Sequence, residues 1–155
     1  MSPDDTFLAS VARALRKAKL EAILIGNAAA AVQNVAVMTK DVDFFVRDTA
    51  LVRKKIDRVV ILLNAAGVSK PYAPISEMLR IHGVEVPVDF VFQVSSRKSF
   101  ESIRSRAHKI KLGSESILAA DLADVIAAKK AANRKKDRAS LPLLEESLRA
   151  KKKLA

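Results

Sequence analysis

The chain has 155 residues, half of them hydrophobic, with a formal net charge of +11 and a pI near 10.1. That length suits one domain with a real core, or a small core with a helical appendage. It holds no cysteine, which excludes disulfides and thiolate metal sites, and no apolar run approaches the ~18 residues of a membrane span.

The first residues, "MSPDDTFLAS", begin acidic and lack the basic and then apolar pattern of a secretory signal. The expectation is a cytoplasmic protein with no membrane partner. Residues 6–18 place Phe7, Leu8, Val11 and Leu15 at helical spacing, with Thr6 or Asp5 as N-cap. "EAILIG" (21–26) reads as a short strand ending in Gly, and the alanine-rich 27–34 as a helix. "DVDFFV" (41–46) is a second strand. Residues 50–67 form an amphipathic helix closed by Gly67 as C-cap, and 68–76 read as a loop. "SEMLRI" and "VEVPVDFVFQV" are strands around a turn at His82 and Gly83. A helix over 99–108, two short strands in 108–119 and helices from Asp121 onward complete the chain. A break is expected near "RKKD", with Pro142 early in the second of these helices. The order predicts an α/β (α+β) fold with a small mixed sheet, flanking helices and a helical C-terminal segment. The division expected is a core over 1–96 and a basic, mainly helical segment over 97–155.

Asp41 and Asp43 stand one residue apart in an otherwise apolar strand. Residues i and i+2 share one face, with Cα atoms about 6.5–7 Å apart, so the two carboxylates project together. Such acids either stay solvated at a strand entry or hold a hard cation, above all Mg²⁺. Asp89, flanked by Val88 and Phe90, faces opposite to both. If its strand neighbours "DVDFFV", it completes a three-carboxylate cluster suited to two Mg²⁺ ions and in-line displacement at phosphorus.

Other candidates are weaker. Lys129 continues the apolar stripe Leu122, Val125, Ile126, so it either snorkels outward or meets an anion. Arg134 and Asp137 are spaced to pair with each other. His82 and His108 lie too far apart in sequence to argue for zinc, the serines have no triad partners, and the aromatics are too sparse for a base-stacking platform.

The stretch "GNAAAAVQNVAVMTKDVDFFV" (26–46) resembles the signature of the nucleotidyltransferase superfamily of the DNA polymerase β type. Its closest form is that of the small members related to AbiEii-type toxins. Gly26, Thr39, Asp41 and Asp43 match the pattern, "GVEVPVDFVF" supplies the third acid as Asp89, and "LADVIAAKKAANRKKD" provides Lys129, Arg134 and Asp137. Three positions depart from it. Asn27 replaces a second Gly or Ser, Asn34 replaces a Gly, and Val37 replaces an Arg.

The resemblance implies transfer of a nucleoside monophosphate from an NTP to an acceptor hydroxyl, with two Mg²⁺ ions, or Mn²⁺, as cofactor. Asp41, Asp43 and Asp89 would be the catalytic metal ligands. Gly26, Asn27, Thr39, Lys129 and Arg134 would bind the nucleotide. The acceptor would be RNA, drawn by the basic C-terminal half, or a protein, in the setting of a toxin–antitoxin pair. The alternative is an inactive member that acts through a partner protein or as a nucleic-acid-binding module.

Overall fold

The structure, a computed structural model, describes residues 3–70 and 77–154. In chain order the elements are α1 (Pro3–Lys17), β1 (Ile23–Ile25), α2 (Gly26–Ala31), β2 (Val42–Phe45), α3 (Ala50–Leu62), β3 (Gly67–Ser69), β4 (Met78–His82), β5 (Val88–Val91), α4 (Phe100–Arg106), β6 (His108–Leu112), β7 (Glu115–Ala119), α5 (Leu122–Ala132) and α6 (Lys135–Leu154). The described strands form one mixed sheet in the order β3-β4-β5-β2-β1-β7-β6. The expected α/β architecture is therefore the observed one. No described helix is long and apolar enough to cross a membrane.

Apolar alternation places the central strands. Phe44 and Phe90 are fully buried, sit in register on the parallel pair β2–β5 and stack with centroids 5.8 Å apart. Burying such a side chain stabilises by roughly 1.5–3 kcal/mol. On the opposite face of β2, Phe45 meets Phe100 of α4 edge-on at 5.4 Å. That face begins with Asp43 and ends in packed aromatic surface. β7 runs parallel to β1 and carries β6 at the sheet edge, so strands from the C-terminal part of the chain extend the same sheet. A forked pair from Arg16 to the buried Glu115 ties α1 to β7.

Several local boundaries differ from expectation. α1 starts at Pro3, so Asp5 and Thr6 lie inside it rather than at the expected N-cap position. α3 stops at Leu62, and the left-handed residue that closes it is Asn64 (φ 53), which tolerates that region through its short polar side chain. Gly67 is thereby released to begin β3, a strand within the span expected to be a loop. Its pairing with β4, Gly67 opposite His82, is long-range and leaves no local pattern in three residues. The rest of that expected loop, 71–76, lies outside the described residues.

β5 begins only at Val88, after a turn in which Gly83 (φ 76) approaches Ala66 closely. Helix α4 ends at Arg106, and His108 belongs to β6 rather than to the helix end. The break between the last helices falls at Asn133 (φ 51), slightly ahead of the expected position. Pro142 sits inside α6.

Candidate active site

β1 ends at Ile25 and the chain turns directly into α2 through Gly26, whose φ of +65° favours glycine. The left-handed residue of this turn is Gly26 itself, so Asn27 is not required to adopt that conformation. Asn34, at a position where the resembling family has glycine, is left-handed (φ 70) and follows α2. Here asparagine serves in glycine's place.

Asn27 donates its side-chain amide to the Met38 carbonyl at 3.0 Å. It thereby ties the start of α2 to the loop that delivers Asp41. Its Oδ1 is buried without a protein partner.

Asp43 lies opposite Ile25 on one side and opposite Asp89 on the other. Asp41 stands just before β2. One carboxylate oxygen from each of Asp41, Asp43 and Asp89 falls within 4.8 Å of the other two. The neighbourhood inferred from the isolated acid in "PVDFVF" is thus the observed one.

Burial, the charges of Asp41 and Asp89, and a hydrogen bond shared with Asp89 push the Asp43 carboxyl up to about 7, with Lys136 opposing. Like charges gathered in a poorly solvated place disfavour ionisation. Asp89 is compensated differently. It is 2% exposed and accepts a fork from Arg80, Nε to Oδ1 at 2.7 Å and Nη2 to Oδ2 at 2.9 Å.

The acids open onto a cavity of about 510 Å³ that is also lined by Gly26, Arg80, Lys129, Arg134 and Lys136. Of its cations, Arg80 comes from β4, Lys129 from α5, Lys136 from α6 and Arg134 from the turn between those helices. Lys129 is 11% exposed and meets the fully buried Asp137 at 3.5 Å. Asp137 also accepts from the Arg134 side chain (2.7 and 3.2 Å) and from the Arg134 backbone N–H at 3.1 Å. Lys129 therefore does meet an anion, and that anion is Asp137. Burial lowers the Lys129 ammonium pKa, and the Asp137 charge resists the shift. Thr39 lies elsewhere. It is exposed, on the loop before β2, and borders a second hollow with Phe7, Met38 and Val42.

No family model matches the chain, and no curated protein sequence matches it. Solved structures do. ANT(2")-Ia in complex with adenylyl-2"-tobramycin aligns with a TM-score of 0.66 at 13% identity, over 97% of this chain and 92% of that one. A Thermotoga maritima protein described as a candidate nucleotidyltransferase aligns at 0.60 and 14% identity, over 99% and 95%. A solution structure of ANT(2'')-Ia aligns at 0.64 and 14% identity, over 96% and 86%. The chain has the nucleotidyltransferase fold.

Within this nucleotidyltransferase fold, sequence reasoning missed Arg80, Lys136 and Asp124. Arg80 sits between the buried Leu79 and Ile81 in "LRI", a faint sign of a strand arginine facing a polar site. Its partner depends on the β4–β5 register, which the turn at Gly83 sets. Lys136 is exposed and lies within the basic run "RKKD", where spacing does not single it out. Asp124 lines the cavity and is buried, with Lys98 at 3.0 Å and Arg106 at 2.8 Å. It carries its own counter-charges.

Proposed function

We propose that this protein is a Mg²⁺-dependent nucleotidyltransferase that moves a nucleoside monophosphate from an NTP to an acceptor hydroxyl. The observation that supports this reading is the convergence of Asp41, Asp43 and Asp89 at a cavity whose other wall is cationic. An all-carboxylate oxygen set suits hard divalent cations, and the raised Asp43 is the signature of negative charge that lacks a full counter-charge. The three acids would hold two Mg²⁺ ions, with Mn²⁺ as substitute. When bound, such ions lower the pKa of the attacking hydroxyl and offset charge on the leaving pyrophosphate.

The acceptor oxygen bonds to the α-phosphorus, the bond from that phosphorus to the β-phosphate oxygen breaks, and pyrophosphate leaves. The acceptor proton passes to a carboxylate of the cluster, with Asp89 taking or positioning it. Lys129, Arg134 and Lys136 present positive charge to the triphosphate, and Gly26 lets the backbone approach it. Asn27 contributes by holding the loop that carries Asp41, since its amide is engaged with Met38. Thr39 acts, on this reading, only if that loop moves.

ANT(2")-Ia is seen with adenylyl-2"-tobramycin, a nucleotidyl group on a small acceptor. Here the net charge of +11 favours a polyanionic acceptor, and RNA is the acceptor we propose. The toxin component of a toxin–antitoxin pair, held by a partner protein, is the setting that fits the sequence resemblance.

The test is incubation with each α-labelled NTP, Mg²⁺ and total cellular RNA or protein. Label should enter RNA and vanish with Asp43→Asn. Label in protein alone would overturn the RNA acceptor. No label in any combination would sink the catalytic reading and favour the inactive, partner-binding alternative.

A further inference from the structure

One cation sits inside the carboxylate set itself. Arg80 and Asp89 are direct cross-strand partners on β4 and β5, and Asp89 stands opposite Asp43 on β2. The row across three adjacent strands reads plus, minus, minus. Arg80 donates to both oxygens of Asp89, so part of the charge and lone-pair capacity that a metal ion would draw on is already engaged. The two partners differ in freedom. Asp89 is 2% exposed on a central strand, whereas the Arg80 side chain is 35% exposed and lines the cavity. A long side chain anchored at its Cα can turn from a carboxylate to another oxyanion in the same cavity while its strand stays in place.

We propose that Arg80 is a built-in counter-cation that competes with a divalent ion for Asp89 and transfers to the triphosphate when nucleotide arrives. The inference rests on the reading of the three acids as a metal site. The guanidinium fork takes one lone pair of each Asp89 oxygen and offsets the carboxylate charge, so it competes with a divalent ion for the same group. Phosphate oxygens offer the guanidinium a fork of the same geometry. Nucleotide therefore frees Asp89 for the metal, and metal strengthens nucleotide binding by the same factor, since coupling between two sites is reciprocal. Without nucleotide, Arg80 weakens the hold of the cluster on divalent ions.

The test follows free Mn²⁺ by electron paramagnetic resonance during titration of wild type, Arg80→Met and Arg80→Lys. Each is titrated alone and with non-hydrolysable analogues of the four NTPs in turn, with Mn²⁺ held by the analogue itself subtracted from a protein-free blank, alongside thermal melts. Wild type should bind Mn²⁺ weakly alone and about tenfold or more tighter with an analogue. Arg80→Met should bind Mn²⁺ about tenfold tighter than wild type without nucleotide, and the analogue should add little. Its melting temperature should fall without metal and recover with Mn²⁺. Arg80→Lys keeps the charge without the fork and should fall between, and it carries the comparison alone if Arg80→Met does not fold. Variants that bind Mn²⁺ no more tightly than wild type, with the nucleotide effect intact, would overturn the role of Arg80. Wild type that binds no Mn²⁺ with or without analogue would overturn the metal reading itself.

Discussion

Asp43 and Asp89 face each other in direct register across the parallel pair β2–β5, yet only Asp89 has an ion-pair partner, Arg80. The imbalance concentrates uncompensated charge on Asp43, and its pKa is pushed up to about 7 by burial and by the neighbouring acids.

A pH-dependent stability follows for metal-free protein. Asp43 binds its proton more tightly folded than unfolded, so the folded state pays for ionisation at high pH. Its contribution is most favourable below the ordinary value of 3.8, declines as pH rises and levels off above about 7. Asp43→Asn should therefore be more stable than wild type at pH 8, by on the order of 2 kcal/mol or several degrees in Tm. The advantage should shrink towards pH 4. The same variant should lose nucleotidyl transfer. Urea melts across that range check it, and a destabilised Asp43→Asn at pH 8 would mark Asp43 as a structural acid.

Asp137 anchors the joint between α5 and α6, holding Lys129 and Arg134 at once. Its carboxyl is buried, and although burial opposes ionisation, bonds from Arg134 hold its pKa below the usual range. Asp137→Asn leaves two cations facing a site that no longer answers them and should cost about 3 kcal/mol or more. Lys129→Met leaves Arg134 in place and should cost about 1 kcal/mol. Equal losses in denaturant titrations would show that Lys129, rather than Arg134, carries the pair.

Gly83→Ala should destabilise the β4–β5 connection. The added methyl would lie 2.6 Å from the Ala66 Cβ and 2.8 Å from its backbone nitrogen, at a φ of +76°. Both the clash and the left-handed backbone are unfavourable, together by about 2 kcal/mol or more. Because this turn sets the register that puts Arg80 opposite Asp89, the loss should be accompanied by altered Mn²⁺ binding. A melting curve like that of wild type would argue against a tight approach to Ala66.

Asn64→Gly should do the reverse. Asn64 closes α3 with a φ of 53, a conformation glycine adopts without a Cβ penalty. A gain of about 0.5–1 kcal/mol is expected, read as a rise in Tm. A loss would mean that the asparagine side chain contributes more than its backbone costs.

Short-range physics carried much of this protein in its sequence. Alternation in "DVDFFV" and "PVDFVF" puts the acids on one face and Phe44 and Phe90 on the other, because a strand repeats every two residues. Helical spacing locates the long helices, and Ser99 and Asp121 cap α4 and α5 as such residues do. The grouping of Asp41, Asp43 and Asp89 was legible because an isolated acid in a buried strand is costly without a purpose. Pairing across distance was not legible. The three-residue strand β3 exists only because β4 lies beside it. The partner of Lys129 is Asp137 because α5 turns back at Asn133 into α6. Arg80 reaches Asp89 only through the register of a turn whose geometry is set by contact with Ala66. Local spacing encodes the i, i+3 pair of Arg134 and Asp137, but the long-range pairs arise from side chains brought together through space, and no local spacing encodes those.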